Sequence, residues 1–210
     1  MIDQTVRKKQ GGDSMNRFLL LIVLAALGLA GCSQETPPDH PRRVPEKKVI
    51  ETSAFRHQIQ LVNREGKKVG FIEIKESEDE GLDFHISAHS LTPGASLGFH
   101  IYEKGSCVRP DFESAGGPFN PLNKEHGFNN PMGHHAGDLP NLEVGADGKV
   151  DVIMNAPETS LQKGSKLNIL DQDGSAFIIH EQADDYLTNP SGNSGARIVC
   201  GALSGNNEKQ

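Results

Sequence analysis

Leu82-Asp83-Phe84-His85-Ile86-Ser87-Ala88-His89 places an apolar side chain at every second position. Successive side chains of a strand point to opposite faces, so this alternation predicts a β-strand with one buried and one wet face. The same period of two runs through Phe55 to Val62, Val69 to Lys75 and Leu97 to Ile101. Leu142–Val144 and Val150–Met154 flank the turn Gly145-Ala146-Asp147-Gly148, and Ala176–His180 and Arg197–Leu203 supply two further short strands. Asn63-Arg64-Glu65-Gly66 and the stretch from Glu78 to Gly81 read as turns. Eight short strands at hairpin spacing predict an all-β, antiparallel sandwich or barrel. The composition agrees: 23 glycines and 12 prolines in 210 residues favour many turns over a helical bundle.

One interval breaks this rhythm. From Gly105 to Pro140 there is no periodic run, only Gly, Pro, Asn and scattered His. A loop of this length inside a compact domain is usually functional. Together with the strand before it, this loop holds His100, Tyr102, His126, His134, His135 and Asp138, and His180 lies far downstream. The spacing His126-x8-His135-x2-Asp138 gathers two imidazoles and a carboxylate, a donor set suited to tetrahedral zinc. His57, His85 and His89 fall on strands outside this pattern, where surface placement is the default.

The ends of the chain carry a different message. From Met15 the sequence reads Met-Asn-Arg, then a twelve-residue apolar run from Phe18 to Leu29, then Ala30-Gly31-Cys32. Twelve residues fall short of the roughly 20 needed to span a bilayer, so the run reads as a signal-peptide core. Small residues directly before Cys32 resemble the lipobox of bacterial lipoproteins, in which the cysteine becomes the lipid-bearing N-terminus after cleavage. Residues 1–31 are thus read as signal peptide, with Met15 as the expected true start. Residues 32–51, bearing Pro37, Pro38, Pro41 and Pro45, are read as a stiff linker, and residues 52–210 as the folded domain. The expected partner is the membrane, reached through a lipid on Cys32, and the expected location is the extracytoplasmic face of a bacterial cell envelope.

The formal charge is −7. Removing residues 1–31, with four basic and two acidic side chains, takes it to about −9. Such a surface disfavours nucleic acid and is not drawn to anionic lipid, which leaves the lipid itself as the anchor. In an exported compartment disulfides persist, so Cys107 and Cys200, the two cysteines other than Cys32, are expected to pair.

Ordered motifs across the domain resemble the copper–zinc superoxide dismutases. They are Gly98-Phe99-His100-Ile101-Tyr102-Glu103, Gly105-Ser106-Cys107, Ser114-Ala115-Gly116-Gly117-Pro118-Phe119-Asn120-Pro121, His126-Gly127 and His135-Ala136-Gly137-Asp138-Leu139. Downstream follow Ile179-His180-Glu181, Ala183-Asp184-Asp185, Gly192-Asn193, Gly195-Ala196-Arg197 and Cys200-Gly201. The resemblance implies a flattened eight-stranded Greek-key β-barrel with long metal-binding and electrostatic-type loops. It also implies a disulfide from Cys107 to Cys200, with zinc on His126, His135 and Asp138. Asp184 would bridge His100 and His126 by hydrogen bonds, and Arg197 would draw the anion toward copper.

Two departures matter more than the matches. The family holds copper on four histidines, one shared with zinc as a bridging imidazolate, and this chain has Tyr102 and Pro118 at two of those positions, the latter being the bridge. Only His100 and His180 remain of the copper set. Two imidazoles do not define the open tetragonal nitrogen site that copper redox cycling uses. Tyr102 has an ordinary pKa near 10 and is expected to lie half-packed on the barrel face rather than to ligate. Pro118 carries no ligand atom, and its fixed φ is expected to alter the loop. Zinc, with a water or His134 in the vacant position, is the expected cofactor, and copper is expected to bind weakly or not at all.

A dismutase-like lipoprotein with little or no dismutase activity follows from that reading. Two alternatives stay open: a dismutase still turning over superoxide with copper on His100, His180 and improvised ligands, and a copper-trafficking protein that passes the ion on. Arg197 then has two readings, as an anion guide if the protein is active or as a donor that anchors the loop through nearby carbonyls.

Overall fold

The computed structural model describes residues 57–205. The signal segment, Cys32, the proline-bearing linker, the start of the first alternating run at Phe55 and the last five residues lie outside the described residues. Eight strands follow in order: β1 (His57–Asn63), β2 (Lys68–Glu76), β3 (Leu82–Ala88), β4 (Ser96–Tyr102), β5 (Asp138–Glu143), β6 (Val150–Ala156), β7 (Ser175–His180) and β8 (Arg197–Leu203). They form one antiparallel sheet in the order β5-β4-β7-β8-β1-β2-β3-β6. Its two end strands approach each other, which makes a nearly closed barrel. Because β3 pairs with β6 and β4 with β7, the connections cross over in Greek-key fashion.

Where alternation is clean, burial is clean. Along β3 the pattern is buried at Leu82, Phe84, Ile86 and Ala88, with half-exposed residues between. Inside the barrel, Phe84 meets Phe177 edge to face at 5.1 Å, among Leu61, Ile72, Ile74 and Ile101, all fully buried. Two strands break the rule. All of β7, and β4 from Leu97 onward, is buried on both faces. Phe99, Ile101, Phe177 and Ile179 face the core, so the alternate residues His100, Tyr102, Ile178 and His180 are covered from outside by other parts of the chain.

The sequence places the fifth strand at Leu142–Val144, whereas it begins at Asp138. Pro140 hides this in the sequence, since it reads as a breaker. The register between β4 and β5 shifts between Leu97 and Phe99, so Pro140 falls in the irregularity, where the missing N–H leaves no rung broken. The long loop therefore ends at Gly137, and it contains one short 3-10 turn, Glu113–Ala115.

His85 on the outer face of β3 is better tied than a default surface histidine. Its Nδ1 lies 3.2 Å from Glu73 on β2 and its Nε2 2.9 Å from Asp151 on β6. Burial disfavours the cation, but hydrogen bonds to Asp151 and Glu73 outweigh it and raise the His85 pKa above 6.5. A raised folded pKa stabilises the fold fully below the unfolded value and loses that contribution as pH rises through the folded one. His85→Gln should therefore lower the melting temperature slightly in mildly acidic buffer and leave it unchanged at alkaline pH. With a partner as exposed as Asp151, the effect should stay below about 1 kcal/mol.

Candidate metal centre

The outer faces of β4 and β7 carry the chemistry, and three devices hold the long loop over them. First, Cys107 in the loop is bonded to Cys200 on β8, a closure of 93 residues. Closing so long a segment restricts the unfolded chain by about 4–5 kcal/mol in the chain-entropy account. Second, Arg197 at the start of β8 donates from Nη1 to Phe112 O at 2.8 Å and from Nη2 to Gly116 O at 2.9 Å. Third, Tyr102, Phe112, Ala115, Ala176, Ile178 and Cys200 form a small apolar cluster beneath the loop, separate from the barrel core. The loop-anchoring role of Arg197 is thus directly visible in its hydrogen bonds.

Under this cover lies a buried chain of carboxylates and imidazoles. Asp184 Oδ2 is 2.7 Å from His100 Nε2, and Asp184 Oδ1 is 2.9 Å from His126 Nε2, the bridge that the motifs imply. Asp138 Oδ1 lies 3.0 Å from His126 Nδ1 and 3.1 Å from His135 Nδ1. Asp138 Oδ2 accepts the backbone N–H of Gly127 and of His135. Single donor atoms of His100, His126 and Asp138 fall within 4.8 Å of one another, and all three residues are buried. His135, also buried, joins them through Asp138.

Two buried carboxylates around one imidazole dictate its charge. Burial opposes the His126 cation, but hydrogen bonds to Asp138 and Asp184 and their charges overcome it and raise its pKa to about 9. Burial likewise pushes Asp138 and Asp184 upward, yet the histidine and backbone donors hold both carboxyls well below the usual carboxylate range. Without metal, His126 is therefore an imidazolium clamped between two carboxylates. Its Nε2 proton stays with Asp184, so a cation entering the site competes only for the Nδ1 proton.

The donor set suits zinc. Ligand bonds of about 2.0–2.1 Å place neighbouring tetrahedral donors about 3.3 Å apart. His126 Nδ1 and His135 Nδ1 stand 3.0 and 3.1 Å from Asp138 Oδ1, so a small outward shift of the donors around a cation satisfies that geometry. His134 does not offer the fourth ligand. Its ring packs against Phe128 at 4.6 Å and its Nε2 lies 3.7 Å from Glu158, away from the cluster.

The donor set does not suit copper. Among the described residues His100 Nδ1 is buried without a hydrogen-bond partner, as a free ligand atom would be. His180 Nε2 is not free, for it lies 3.2 Å from the Tyr102 hydroxyl. Burial and the charge of His100 lower the His180 pKa to about 4, so this imidazole is neutral. Tyr102 is only 2 % exposed, so the half-packed placement expected from the sequence is corrected to full burial by the covering loop. Burial raises its pKa above 10 against the opposing Arg197 charge, which keeps the phenol protonated. The Arg197 guanidinium sits 4.2 Å above its ring.

Pro118 faces Tyr102 across an isolated antiparallel bridge. The flanking bonds run from Glu103 N–H to Gly117 O and from Phe119 N–H to Ile101 O, both 2.9 Å. The Tyr102–Pro118 pair is therefore the non-hydrogen-bonded kind, where a missing N–H costs nothing. The expected distortion of the loop by proline does not occur in this bridge.

Some parts of the centre were not legible in the sequence. Asn141 donates to Asp184 O and accepts from Asp184 N–H, at 3.0 and 2.9 Å, and so fixes the bridging carboxylate. The Tyr186 hydroxyl accepts the Asn141 N–H at 2.8 Å. Gly192, at φ +64, brings its backbone so near that an added Cβ would stand 1.6 Å from Asp184 Oδ1. The glycine in Gly192-Asn193 was the available signal for this close approach.

Residues 68–203 match the family described as copper/zinc superoxide dismutase. The chain is 88% identical over 196 residues to the superoxide dismutase-like protein YojM of Bacillus subtilis, covering 93% of this chain and 100% of that one. It is 43% identical over 143 residues to the copper–zinc superoxide dismutase 1 of Aquifex aeolicus, covering 68% and 84%. A solved structure of a dismutase-like protein from Bacillus subtilis superposes with a TM-score of 0.72 at 91% identity, over 72% of this chain and 99% of that one. It is a double mutant in which a tyrosine and a proline are each replaced by histidine. By sequence, by barrel topology and by the carboxylate–imidazole centre beneath the long loop, this chain belongs to the copper/zinc superoxide dismutase family.

Proposed function

We propose that the protein is an extracytoplasmic, lipid-anchored dismutase-like module. It holds zinc on His126, His135 and Asp138 and is defective in copper binding and dismutation. The observation that carries this reading is the contrast between the two halves of one centre. Two imidazole nitrogens, of His126 and His135, converge on one Asp138 oxygen at close to tetrahedral donor spacing, while the copper positions hold a hydrogen-bonded phenol and a proline. Superoxide is a partner only if copper is retained. Anchoring through Cys32 rests on the Leu29-Ala30-Gly31-Cys32 motif.

The test is thermal melting of the purified, metal-stripped protein with and without zinc. A ligand bound only by the native state stabilises it by about 2.7 kcal/mol at a hundredfold excess over Kd. For a domain of this size that is a rise of about 5–10 °C. His135→Ala should abolish the rise while leaving the Asp138–His126–Asp184 chain in place. A melting curve of the unmodified protein that ignores zinc would reject the zinc site.

A further inference from the structure

We propose that Tyr102 is not merely an absent ligand but an internal cap: its hydroxyl donates to His180 Nε2 and withholds that nitrogen from metal ions. The inference rests on reading His180 as a remnant of the copper site. It goes further in assigning Tyr102 an active part in excluding copper.

The direction of the bond follows from the other side of the ring. His180 Nδ1 lies 3.0 Å from Gly195 O, and a carbonyl oxygen only accepts, so Nδ1 carries the proton. In the neutral tautomer Nε2 is then a lone pair, and the group 3.2 Å from it is the Tyr102 hydroxyl, which donates. The lone pair that would bind a metal is thereby occupied. His100 shows the contrast, for its Nε2 is bound to Asp184 while its Nδ1 is buried and has no partner among the described residues. Of the two remaining nitrogens, one is open and the other is plugged.

The plug is also held in place. Tyr102 lies between β7 and the covering loop, in a cluster with Phe112, Ala115, Ala176 and Ile178. Arg197 closes over its ring, and both terminal nitrogens of that arginine are committed to loop carbonyls. A rotation that freed His180 would have to break this packing, and the guanidinium adds a positive charge that opposes an entering cation.

Copper affinity, measured with the zinc site filled by excess zinc and with aqueous copper competed against a chromogenic chelator, tests the cap. Tyr102→Phe keeps the ring and removes the hydroxyl, so affinity should rise about three- to tenfold, the worth of one net hydrogen bond. Unchanged or weaker binding overturns the cap, as does a phenolate-to-copper charge-transfer band in the unmodified protein. His180→Ala in the unmodified protein is a second reading that does not require the Tyr102 variant to fold. A capped nitrogen contributes little, so affinity should change less than about twofold, and a larger loss overturns the proposal. The zinc-dependent melting shift is read in parallel. Its absence from the unmodified protein sinks the zinc reading without touching the cap.

Discussion

Asp184→Ala should destabilise the metal-free protein by about 3–5 kcal/mol, the cost of removing one partner from a buried charge pair. Asp184 is 3% exposed, and its two oxygens serve His100 Nε2, His126 Nε2 and the backbone N–H of Tyr186. Alanine leaves the two histidine donors buried and the partly buried Tyr186 N–H without this acceptor, and it leaves the His126 imidazolium with Asp138 alone. The loss should appear as a drop in melting temperature of roughly 10 °C or more. Zinc affinity should fall about 10- to 100-fold, because the carboxylate behind a ligating imidazole sets its orientation and basicity. Asp184→Asn is the gentler control: one amide oxygen can still accept from one histidine, so the stability loss should be roughly halved. A loss under about 1 kcal/mol for Asp184→Ala would mean that the carboxylate is solvated and not structural.

The barrel was legible because its strands expose one face. Alternation in β1, β2 and β3 marks both the strands and their buried residues, and burial follows the pattern in β3 without exception. β4 and β7 carry a weaker version of that signal, since the covering loop buries the faces that would otherwise be wet. The same covering converted Tyr102 from an expected half-exposed aromatic into a buried one. No property of Tyr102 or its neighbours announces a segment that returns from ten residues away to lie across it. β5 was placed late for the opposite reason: Pro140 is a local breaker whose effect a register irregularity absorbs.

Residue identity revealed the metal centre, and spacing alone did not. His126, His135 and Asp138 lie within 13 residues of sequence and meet in space as the motif implies. Asp184 is 58 residues from His126, and only its motif pointed to the bridge. Asn141 stayed hidden, since one asparagine after a proline carries no periodic signal, and the glycine at 192 signalled a tight place in the chain without naming the Asp184 carboxylate it approaches. The adjacent His134 shows the limit of proximity in sequence. It neighbours a centre residue, yet its backbone turns the ring toward Phe128 and Glu158.

Tyr102→His combined with Pro118→His should raise copper affinity by well over about a hundredfold, since loss of even an outer partner of a ligand costs about 10- to 100-fold. The two changed positions already face each other across an antiparallel bridge, and the bonds flanking that bridge involve neither residue's N–H. Histidine can thus enter at Pro118 without redrawing the backbone, and at Tyr102 it removes the phenol from His180 Nε2. Four imidazoles around one ion would then match the tetragonal preference of Cu(II), with the bridge shared toward Asp138 and His135. Tyr102→His alone supplies a third nitrogen without the bridge. Pro118→His alone supplies the bridge while the phenol still caps His180. The single variants should each gain far less, and the effects should be strongly non-additive. Superoxide consumption by the copper- and zinc-loaded proteins is the second measurement. An unmodified protein that consumes superoxide as fast as an active double variant would overturn the proposal that this chain is defective in dismutation. If the double variant binds both metals and stays inactive, the loop or the Arg197 environment has diverged as well. Arg197 gives one hydrogen bond from each terminal nitrogen to the Phe112 and Gly116 carbonyls, so the loop sets the orientation of the guanidinium, and a displaced loop would displace the charge that meets the anion.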